Sequence, residues 1–91
     1  MAAGRYEFIL FISGMSVKSV RAIENLNAIN ARHLKGNFGL RIVDISIEKE
    51  AAAEHGIFAV PTLIKLKPAP VRTVIGDLSD TKKVLQILDL E

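Results

Sequence analysis

Side chains that could act as nucleophiles or bases are few in this chain of 91 residues, which contains no cysteine and two histidines. The absence of cysteine excludes disulfides, zinc–thiolate sites, iron–sulfur clusters and thiol redox chemistry. Ser13 and Ser16 follow an apolar segment, but a serine nucleophile needs a base within hydrogen-bond reach. His33 lies at the end of one predicted helix and His55 lies in another, without an obvious orienting acid. The sequence therefore predicts that neither serine is catalytic.

The histidines and glutamates do not have the spacing of a metal site. His33 and His55 lack a His-x-x-x-His pattern. Glu48, Glu50 and Glu54 fall on one short predicted helix, without the glycine-turned loop that calcium sites use. A solvated helix face explains these glutamates more simply. We expect no metal and no other cofactor.

Six basic side chains indicate a different chemistry, the recognition of another protein. The formal net charge of +2 is too small to indicate nucleic-acid binding. Solvation of an ordinary surface is the alternative explanation for such charges. A docking surface is favoured because the residues come from only two predicted elements and a proline-rich turn holds one group stiffly. They are Lys18, Arg21 and Arg32 on the first helix, Lys65 and Lys67 on one face of a strand, and Arg72 across its hairpin.

The first half of the chain has the pattern of a βαβ unit. Tyr6–Ile12 is nearly all apolar after its first two residues, which is typical of a central parallel strand buried on both faces. Ser16 is placed to cap a helix over residues 17–33, whose apolar positions fall on one side and whose basic positions fall on the other. Residues 40–45 form the second predicted strand, and the 27 residues between the strands suffice for a right-handed crossover.

The second half predicts a short helix, two antiparallel strands and a final helix. The resulting order, βαβ-α-ββ-α, is an α/β sandwich that matches the thioredoxin fold, in a single domain over residues 1–91. The elements are a helix over residues 48–55 that follows Ser46 and ends at Gly56, strands over residues 59–66 and 71–75 joined by a turn with Pro68 and Pro70, and a helix over residues 80–88 capped by Ser79.

Val60-Pro61-Thr62 stands at the start of the third predicted strand, where thioredoxin-like proteins place a cis-proline. This position favours a cis bond before Pro61, and the alternative is a trans proline that opens an edge strand. Between the first strand and the first helix, where a thioredoxin carries Cys-x-x-Cys, the chain has Ser13-Gly14-Met15-Ser16-Val17. A thioredoxin-like redox enzyme is therefore disfavoured.

Five short strings of residues, taken in order, closely resemble the KaiB family of the cyanobacterial circadian clock. The resemblance spans almost the whole chain, and the ordered set is specific although each string is short. Where the family has three prolines in a row, this chain has Pro68-Ala69-Pro70. The strings are Gly14…Ser19-Val20-Arg21-Ala22, Pro61-Thr62-Leu63…Lys65, Pro70-Val71-Arg72, Ile75-Gly76-Asp77-Leu78-Ser79 and Lys83-Val84-Leu85…Leu88-Asp89-Leu90.

The resemblance implies a non-enzymatic regulator that docks on KaiC, a hexameric ATPase with autokinase and autophosphatase activity. Arg21, Lys65 and Arg72 match family positions implicated in that docking. Lys18 lies on the same predicted helix face as Arg21, and Lys67 follows Lys65 at i, i+2 on the predicted strand, so both extend these basic groups. These five side chains are the predicted partner-binding residues.

The resemblance also implies two folds. KaiB proteins are similar to thioredoxin in the partner-bound form, but alone they usually keep the N-terminal βαβ unit and refold the C-terminal half, often as tetramers. We therefore expect two packings from about Ala51 onward, and the sequence leaves open which of them the isolated protein adopts. The predicted structural and switch positions are Pro61, which matches the thioredoxin-type proline, Pro68 and Pro70, and Gly76 and Asp77, which match the turn before the last helix.

Other partners also follow from the resemblance. A KaiA-like protein is a further candidate partner, and a KaiB-like sensory domain that acts on a histidine kinase or in a stress response is the alternative function. The family's acidic, tyrosine-containing tail is missing after Glu91, and we expect a homo-oligomer, either a dimer or a tetramer. No apolar run reaches the ~20 residues of a membrane span, and Met1-Ala2-Ala3-Gly4-Arg5 lacks a signal peptide. We expect a cytoplasmic protein that binds neither membrane nor nucleic acid.

Overall fold

Residues 5–90 are described by a computed structural model, and within them the strands and helices follow the predicted order. The first four residues, on which the prediction of no signal peptide rests, and Glu91, where the family tail would begin, lie outside the described residues. No helix within residues 5–90 is long and apolar enough to cross a membrane. The elements are β1 Tyr6–Ile12, α1 Val17–Ile29 with a π-helical extension Asn30–Leu34, β2 Phe38–Asp44, α2 Lys49–Glu54, β3 Thr62–Lys67, β4 Arg72–Ile75 and α3 Thr81–Ile87.

The strands form one sheet with the order β2-β1-β3-β4. β1 runs parallel to β2 and antiparallel to β3, and β3 pairs with β4 as an antiparallel hairpin. β1 therefore lies inside the sheet, as its apolar run predicts. The Val60-Pro61 bond is cis as predicted, and it precedes β3, which is an inner strand and not an edge. The Lys67-Pro68 and Ala69-Pro70 bonds are also cis.

The two faces of the sheet are covered to different depths. α1 and α3 cover one face, where Phe8, Leu10 and Ile12 of β1 belong to a core of thirteen buried residues. α2 covers the other face, where Ile9 and Phe11 belong to a core of only four. α2 itself contains no buried residue. The α2 face is therefore the less protected side of the sheet.

Most predicted boundaries shift by one to three residues, as at β2, which begins at Phe38 and not at Leu40, and at two of them local hydrogen bonds account for the difference. The cap of α3 is Asp80, whose carboxylate accepts a backbone N–H in the first turn at 3.2 Å. Ser79, the predicted cap, donates its backbone N–H to Asp77 Oδ1 at 3.1 Å instead. β3 begins at Thr62 and not at Ala59, since the Thr62 hydroxyl closes a turn by donating to the Ala59 carbonyl at 2.7 Å.

The end of α1 contains a buried polar side chain that has no hydrogen-bond partner within residues 5–90. Asn30 opens the π-helical extension, which follows directly on α1 and covers the predicted helix end at His33. Asn30 is 2% exposed, and neither its Oδ1 nor its Nδ2 has a hydrogen-bond partner among the described residues. A buried amide without hydrogen bonds destabilises the packing around it.

Asn30→Leu removes this amide while keeping a side chain of similar size. We expect the free energy of unfolding to rise by about 1–3 kcal/mol, because the desolvation cost of the amide disappears. Urea denaturation measures this. Asn27→Leu is the matched control, since Asn27 is exposed on the same helix and the change gains the same helix propensity. A rise no larger than that of the control would contradict the assignment of an unpaired amide.

Candidate partner-docking surface

The sheet has two ends, and the candidate residues are divided between them. We call one the Pro61 end, where β1, β2 and β4 finish and β3 begins. These termini meet because β1 and β2 are parallel and β3 is antiparallel to both β1 and β4. The opposite end, which we call the hairpin end, holds the turn between β3 and β4 with Pro68 and Pro70.

Three serines at the Pro61 end form a hydrogen-bonded start to α1. The Ser16 hydroxyl accepts the backbone N–H of Ser19 at 3.3 Å, and the two hydroxyl oxygens are 2.9 Å apart. Ser19 is fully buried, and its hydroxyl also accepts the backbone N–H of Ser13 at 3.2 Å. Ser16 is therefore the N-cap of α1, as predicted. Within residues 5–90 no histidine hydrogen-bonds to these serines, so their geometry supports capping and not nucleophilic attack.

The Asp44 carboxylate joins the loop after β1 to the loop after β2. Its Oδ1 accepts the backbone N–H of Gly14 at 3.0 Å. It also accepts the backbone N–H of Ser46 at 2.9 Å and the Ser46 hydroxyl at 2.6 Å. The bond from the Ser46 hydroxyl, together with the two backbone bonds, lowers the pKa of Asp44 from its ordinary value.

We expect this carboxylate to stabilise the fold at neutral pH and to lose that effect in acid. Because the folded-state pKa is lowered, the contribution is present above the unfolded-state pKa of about 4 and disappears as the pH falls through the folded-state value. Asp44→Asn should therefore lower the melting temperature near neutral pH, and the gap to the wild type should close below about pH 4. Thermal melts across this range measure the gap, with the exposed Glu54→Gln as control. A gap that does not change with pH would contradict a role for the charged carboxylate.

The predicted turn at Gly76 and Asp77 connects Pro61 to α1. The backbone N–H of Gly76 donates to the Pro61 carbonyl at 2.9 Å. The Asn25 side chain donates to the Asp77 carbonyl at 2.8 Å, so Asn25 is half-buried although its position in the helix predicts a solvent-facing residue. The turn thus holds α1 against the Pro61 end of the sheet.

Lys18 and Arg21 lie beside this turn and are exposed, as predicted. Hydrogen bonds from Ser79 lower the pKa of Asp77, and the positive charges of Arg21 and Lys18 lower it further. Both cations lie in the first turns of α1, which begins at the Pro61 end. Arg32, the third predicted basic residue of the helix, is exposed in the π-helical extension.

The prediction that Lys65 and Lys67 lie on one face of a strand is wrong. A bulge shifts the register between β1 and β3, so that Lys65 pairs with Phe8 whereas Lys67 pairs with Glu7. Phe8 and Glu7 are neighbours in β1, and successive side chains of a strand point to opposite faces of the sheet. Lys65 lies on the face covered by α1 and α3 and is 2% exposed, while Lys67 is exposed. The methylene stem of Lys65 is therefore part of the core.

Arg72 is partly exposed but already has a partner. Its Nε lies 3.4 Å from Asp89 Oδ2, just after α3. Arg72 is also the cross-strand neighbour of Lys65, so two like charges stand side by side in the hairpin. The distance along β4 from Arg72 to the Pro61 end is three residues, or about 10 Å. Lys65 and Arg72 are thus neighbours in the hairpin, and Lys18 and Arg21 are neighbours on α1. The two groups lie in different parts of the fold and do not form one basic patch.

Exposed apolar side chains at the Pro61 end were not predicted as functional. Phe58 is 99% exposed, and Met15 is 77% exposed. Phe58 lies in the short loop between Gly56 and Pro61, and an aromatic residue between two such turn residues is the signal that could have identified it.

Known proteins of one family are similar to this chain along nearly its whole length. Residues 9–90 match the family model of the KaiB domain. The circadian clock oscillator protein KaiB of Cyanothece sp. is 44% identical over 85 residues, which cover 93% of this chain and 81% of that protein. The circadian clock oscillator protein KaiB of Prochlorococcus marinus is 43% identical over 91 residues, which cover 99% of this chain and 87% of that protein.

Solved structures are similar at the level of the fold. The solution structure of the N-terminal domain of Synechococcus elongatus SasA has a TM-score of 0.77 and 18% identity, covering 100% of this chain and 90% of that one. Thioredoxin from Fasciola hepatica has a TM-score of 0.72 and 20% identity, covering 97% of this chain and 83% of that one. The predicted thioredoxin-like fold is confirmed.

Proposed function

The chain belongs to the KaiB family, and we propose that it is a non-enzymatic clock regulator that binds a KaiC-like hexameric ATPase and modulates its phosphorylation state. The observation that carries this proposal is the KaiB domain match, which covers residues 9–90 and so includes both halves of the fold. Relatives that are more than 40% identical are circadian clock oscillator proteins. These relatives support a clock role for this chain. The simplest way to perform such a role without catalysis is to bind and regulate a partner protein.

The side chains support docking better than catalysis. The serine hydroxyls at the start of α1 are engaged in capping, and within the described part of the chain no three His, Asp or Glu side chains are grouped to hold a metal ion. By contrast, Lys18, Arg21 and Lys67 present exposed positive charges. Such charges steer encounter with an acidic partner surface and fix its register.

The proposal is tested by following the phosphorylation state of the KaiC-like ATPase from the same organism. We expect the purified chain, added in equimolar amount with ATP, to change the rate or extent of autophosphorylation on phosphate-affinity gels. The ATPase alone and a mixture with Arg21→Glu are the controls. A time course that the wild-type chain leaves unaltered would contradict the proposal, and an effect on a histidine kinase instead would favour the alternative function.

We further propose that the C-terminal half changes its packing when this partner binds. The support is the weak anchoring of that half on the α2 face, where α2 buries no residue and the core has four members. Segments with few large apolar contacts are the first to open in a folded protein. A partner that binds only one packing shifts the population by its differential affinity for the two.

NMR of the isolated chain, with and without the ATPase, tests this change of packing. We expect resonances of residues 51–90 to show secondary shifts that differ between the two samples, while those of residues 6–45 stay the same. The second group is the internal control, because β1 lies inside the sheet and belongs to both cores. If residues 51–90 give one set of resonances with identical shifts in both samples, the chain binds, if at all, as a rigid module.

A further inference from the structure

The outer edge of β4 carries backbone groups that pair with no strand of the described chain. β4 is the last strand in the sheet order, and within residues 5–90 it pairs with β3 alone. The backbone N–H of Gly76 donates to the Pro61 carbonyl, and this bond fixes the alternation of the antiparallel ladder. Val74 therefore hydrogen-bonds to β3, whereas the N–H and C=O groups of Thr73 and Ile75 point outward.

A groove runs beside this free edge, between β4 and α3. Its volume is about 380 Å³, and its apolar wall includes Val74 of β4 together with Val84 and Ile87 of α3. Val74 pairs with Leu63 of the larger core, so the groove lies on the face of the sheet that α1 and α3 cover. The volume is at the lower end of the range for binding pockets. A free strand edge and an apolar groove thus lie side by side.

An extended segment fits the edge and the groove at once. When a strand adds to a sheet, its main chain supplies hydrogen bonds and its alternate side chains enter pockets. A residue opposite Val74 would direct its side chain into the groove. Residues opposite Thr73 and Ile75 would direct theirs to the other face, where Ile75 is 70% exposed. The arrangement selects a strand with apolar residues opposite Val74 and Ile75.

Both signs of charge border the groove. An occupant of either sign would therefore meet like charges, and an uncharged segment is the complementary one. Its binding should change little with salt, because screening acts on charges. The charged groups are Asp77, Asp80 and Lys83, which line the groove, Arg21 and Lys18, which act on Asp77 from α1, and the ion pair of Arg72 and Asp89 at the hairpin end.

A second copy of this chain is a poorer occupant. Pairing β4 with the β4 of another copy would align only four residues of each, a length of about 14 Å. The β4 side chains on the groove side are Arg72, which is held by Asp89, and Val74, which is 6% exposed in its own core. Neither is free to fill the groove of the other copy. Such a contact is small beside the ~800 Å² that each partner contributes to a stable interface.

We infer that the outer edge of β4 and the groove beside it form a binding site for an extended, uncharged peptide segment of another protein, which adds to the sheet as a further strand. The segment exchanges main-chain hydrogen bonds with Thr73 and Ile75 and inserts one apolar side chain between Val74 and α3. This site is additional to the proposed regulation of the ATPase and does not depend on it.

A synthetic hexapeptide tests the inference on the intact chain. Its sequence, acetyl-Ser-Val-Leu-Thr-Val-Ser-amide, places valine opposite Ile75, leucine opposite Val74 and threonine opposite Thr73 in antiparallel register. Heteronuclear NMR should show the amide signals of Thr73 and Ile75 shifting as the peptide is added. The signals of β2, the other edge strand, should stay unchanged. Raising the salt concentration should change the affinity by less than about twofold.

Two N-methylated peptides distinguish strand addition from unspecific apolar contact. The valine opposite Ile75 donates its N–H to β4, whereas the N–H of the leucine points away from β4. N-methylation of that valine should weaken binding by about tenfold or more, because a main-chain hydrogen bond is lost. N-methylation of the leucine should weaken it by less than about twofold. Replacing the leucine by serine should weaken it by about tenfold, since the groove is then left unfilled.

Thr73→Pro removes an outward N–H and keeps the bonds from β4 to β3, because an edge strand accepts proline where the N–H faces solvent. Thr73→Ser is the matched control, since it also changes the side chain but keeps the N–H. Thermal melts verify that both variants fold. We expect Thr73→Pro to bind the hexapeptide at least about tenfold more weakly than Thr73→Ser.

Three results would overturn the inference. The first is unshifted signals of Thr73 and Ile75 at the highest peptide concentration that dissolves. The second is an equal loss of affinity for the two N-methylated peptides, a comparison that needs no variant of the chain. The third is a wild-type dimer in light scattering that Thr73→Pro converts to a monomer, which would assign the edge to a second copy. None of them bears on the proposed function, because the ATPase is absent from these experiments.

Discussion

Replacing Arg21, Lys65 and Arg72 together by alanine should weaken binding to the KaiC-like ATPase and flatten its dependence on salt. We expect Arg21→Ala and Arg72→Ala each to cost about 0.5–2 kcal/mol of binding free energy, because charges at the border of an interface set encounter rate and register, whereas Lys65→Ala also removes a buried stem. Wild-type affinity should fall as salt is raised, since exposed charges are screened within about 10 Å at ordinary ionic strength. Titrations by biolayer interferometry at several salt concentrations measure both effects.

The structure predicts that the three residues contribute differently. Arg21 has no ion-pair partner within the described chain, so its loss should reduce binding most directly. Arg72 is held by Asp89, and a partner must compete with that contact. Lys65 is buried, so Lys65→Met, which keeps the apolar stem, separates the charge from the packing that Lys65→Ala also removes.

Lys35→Ala is the matched control for these replacements, because Lys35 is exposed at the end of the π-helical extension. It changes the net charge by the same amount as each single variant. The basic-surface hypothesis would be contradicted by a triple variant that binds as tightly as the wild type, or by wild-type binding that is insensitive to salt.

Phe11→Ala should be the most destabilising single change on the α2 face of the sheet. Phe11 is fully buried near the end of β1 and is the largest member of the four-residue core under α2. Truncating a buried phenylalanine to alanine typically costs about 3–5 kcal/mol, through lost burial and the cavity that remains. Few neighbours are available to fill that cavity, because α2 contributes no buried residue. Urea denaturation measures the loss.

Phe58→Ala is the matched control, since it makes the same chemical change at a side chain that is 99% exposed. Its free energy of unfolding should stay within about 0.5 kcal/mol of the wild type. A Phe11→Ala variant as stable as Phe58→Ala would show that the α2 face is not packed as described.

The sequence predicts most of the fold because its strongest patterns are local. The apolar run of β1 has no polar residue after Glu7, which is typical of a short strand covered on both faces. Ser16 is the predicted cap of α1, because a serine before a periodic apolar segment is a strong local signal. At α3 two adjacent residues, Ser79 and Asp80, are both good caps, and only the turn formed by Asp77 decides between them.

The candidate site is less predictable because it depends on pairing between strands. The alternation of a regular strand puts Lys65 and Lys67 on one face, but a bulge opposite Glu7 and Phe8 breaks it. A bulge is set by the partner strand and leaves no mark in residues 62–67 themselves. The exposure of Phe58 is likewise a property of the assembled sheet end, since an aromatic side chain in isolation predicts burial.

The most direct test of the central claim is size-exclusion chromatography of this chain with the KaiC-like ATPase of the same organism, in ATP and in ADP. The proposed clock regulator should co-elute with the KaiC-like ATPase, and a partner whose conformation depends on its nucleotide should bind a different fraction of the chain in ATP and in ADP. The Arg21→Ala, Lys65→Ala, Arg72→Ala variant should elute separately under the same conditions. Elution of the folded wild-type chain at its own volume in both nucleotides would contradict the account.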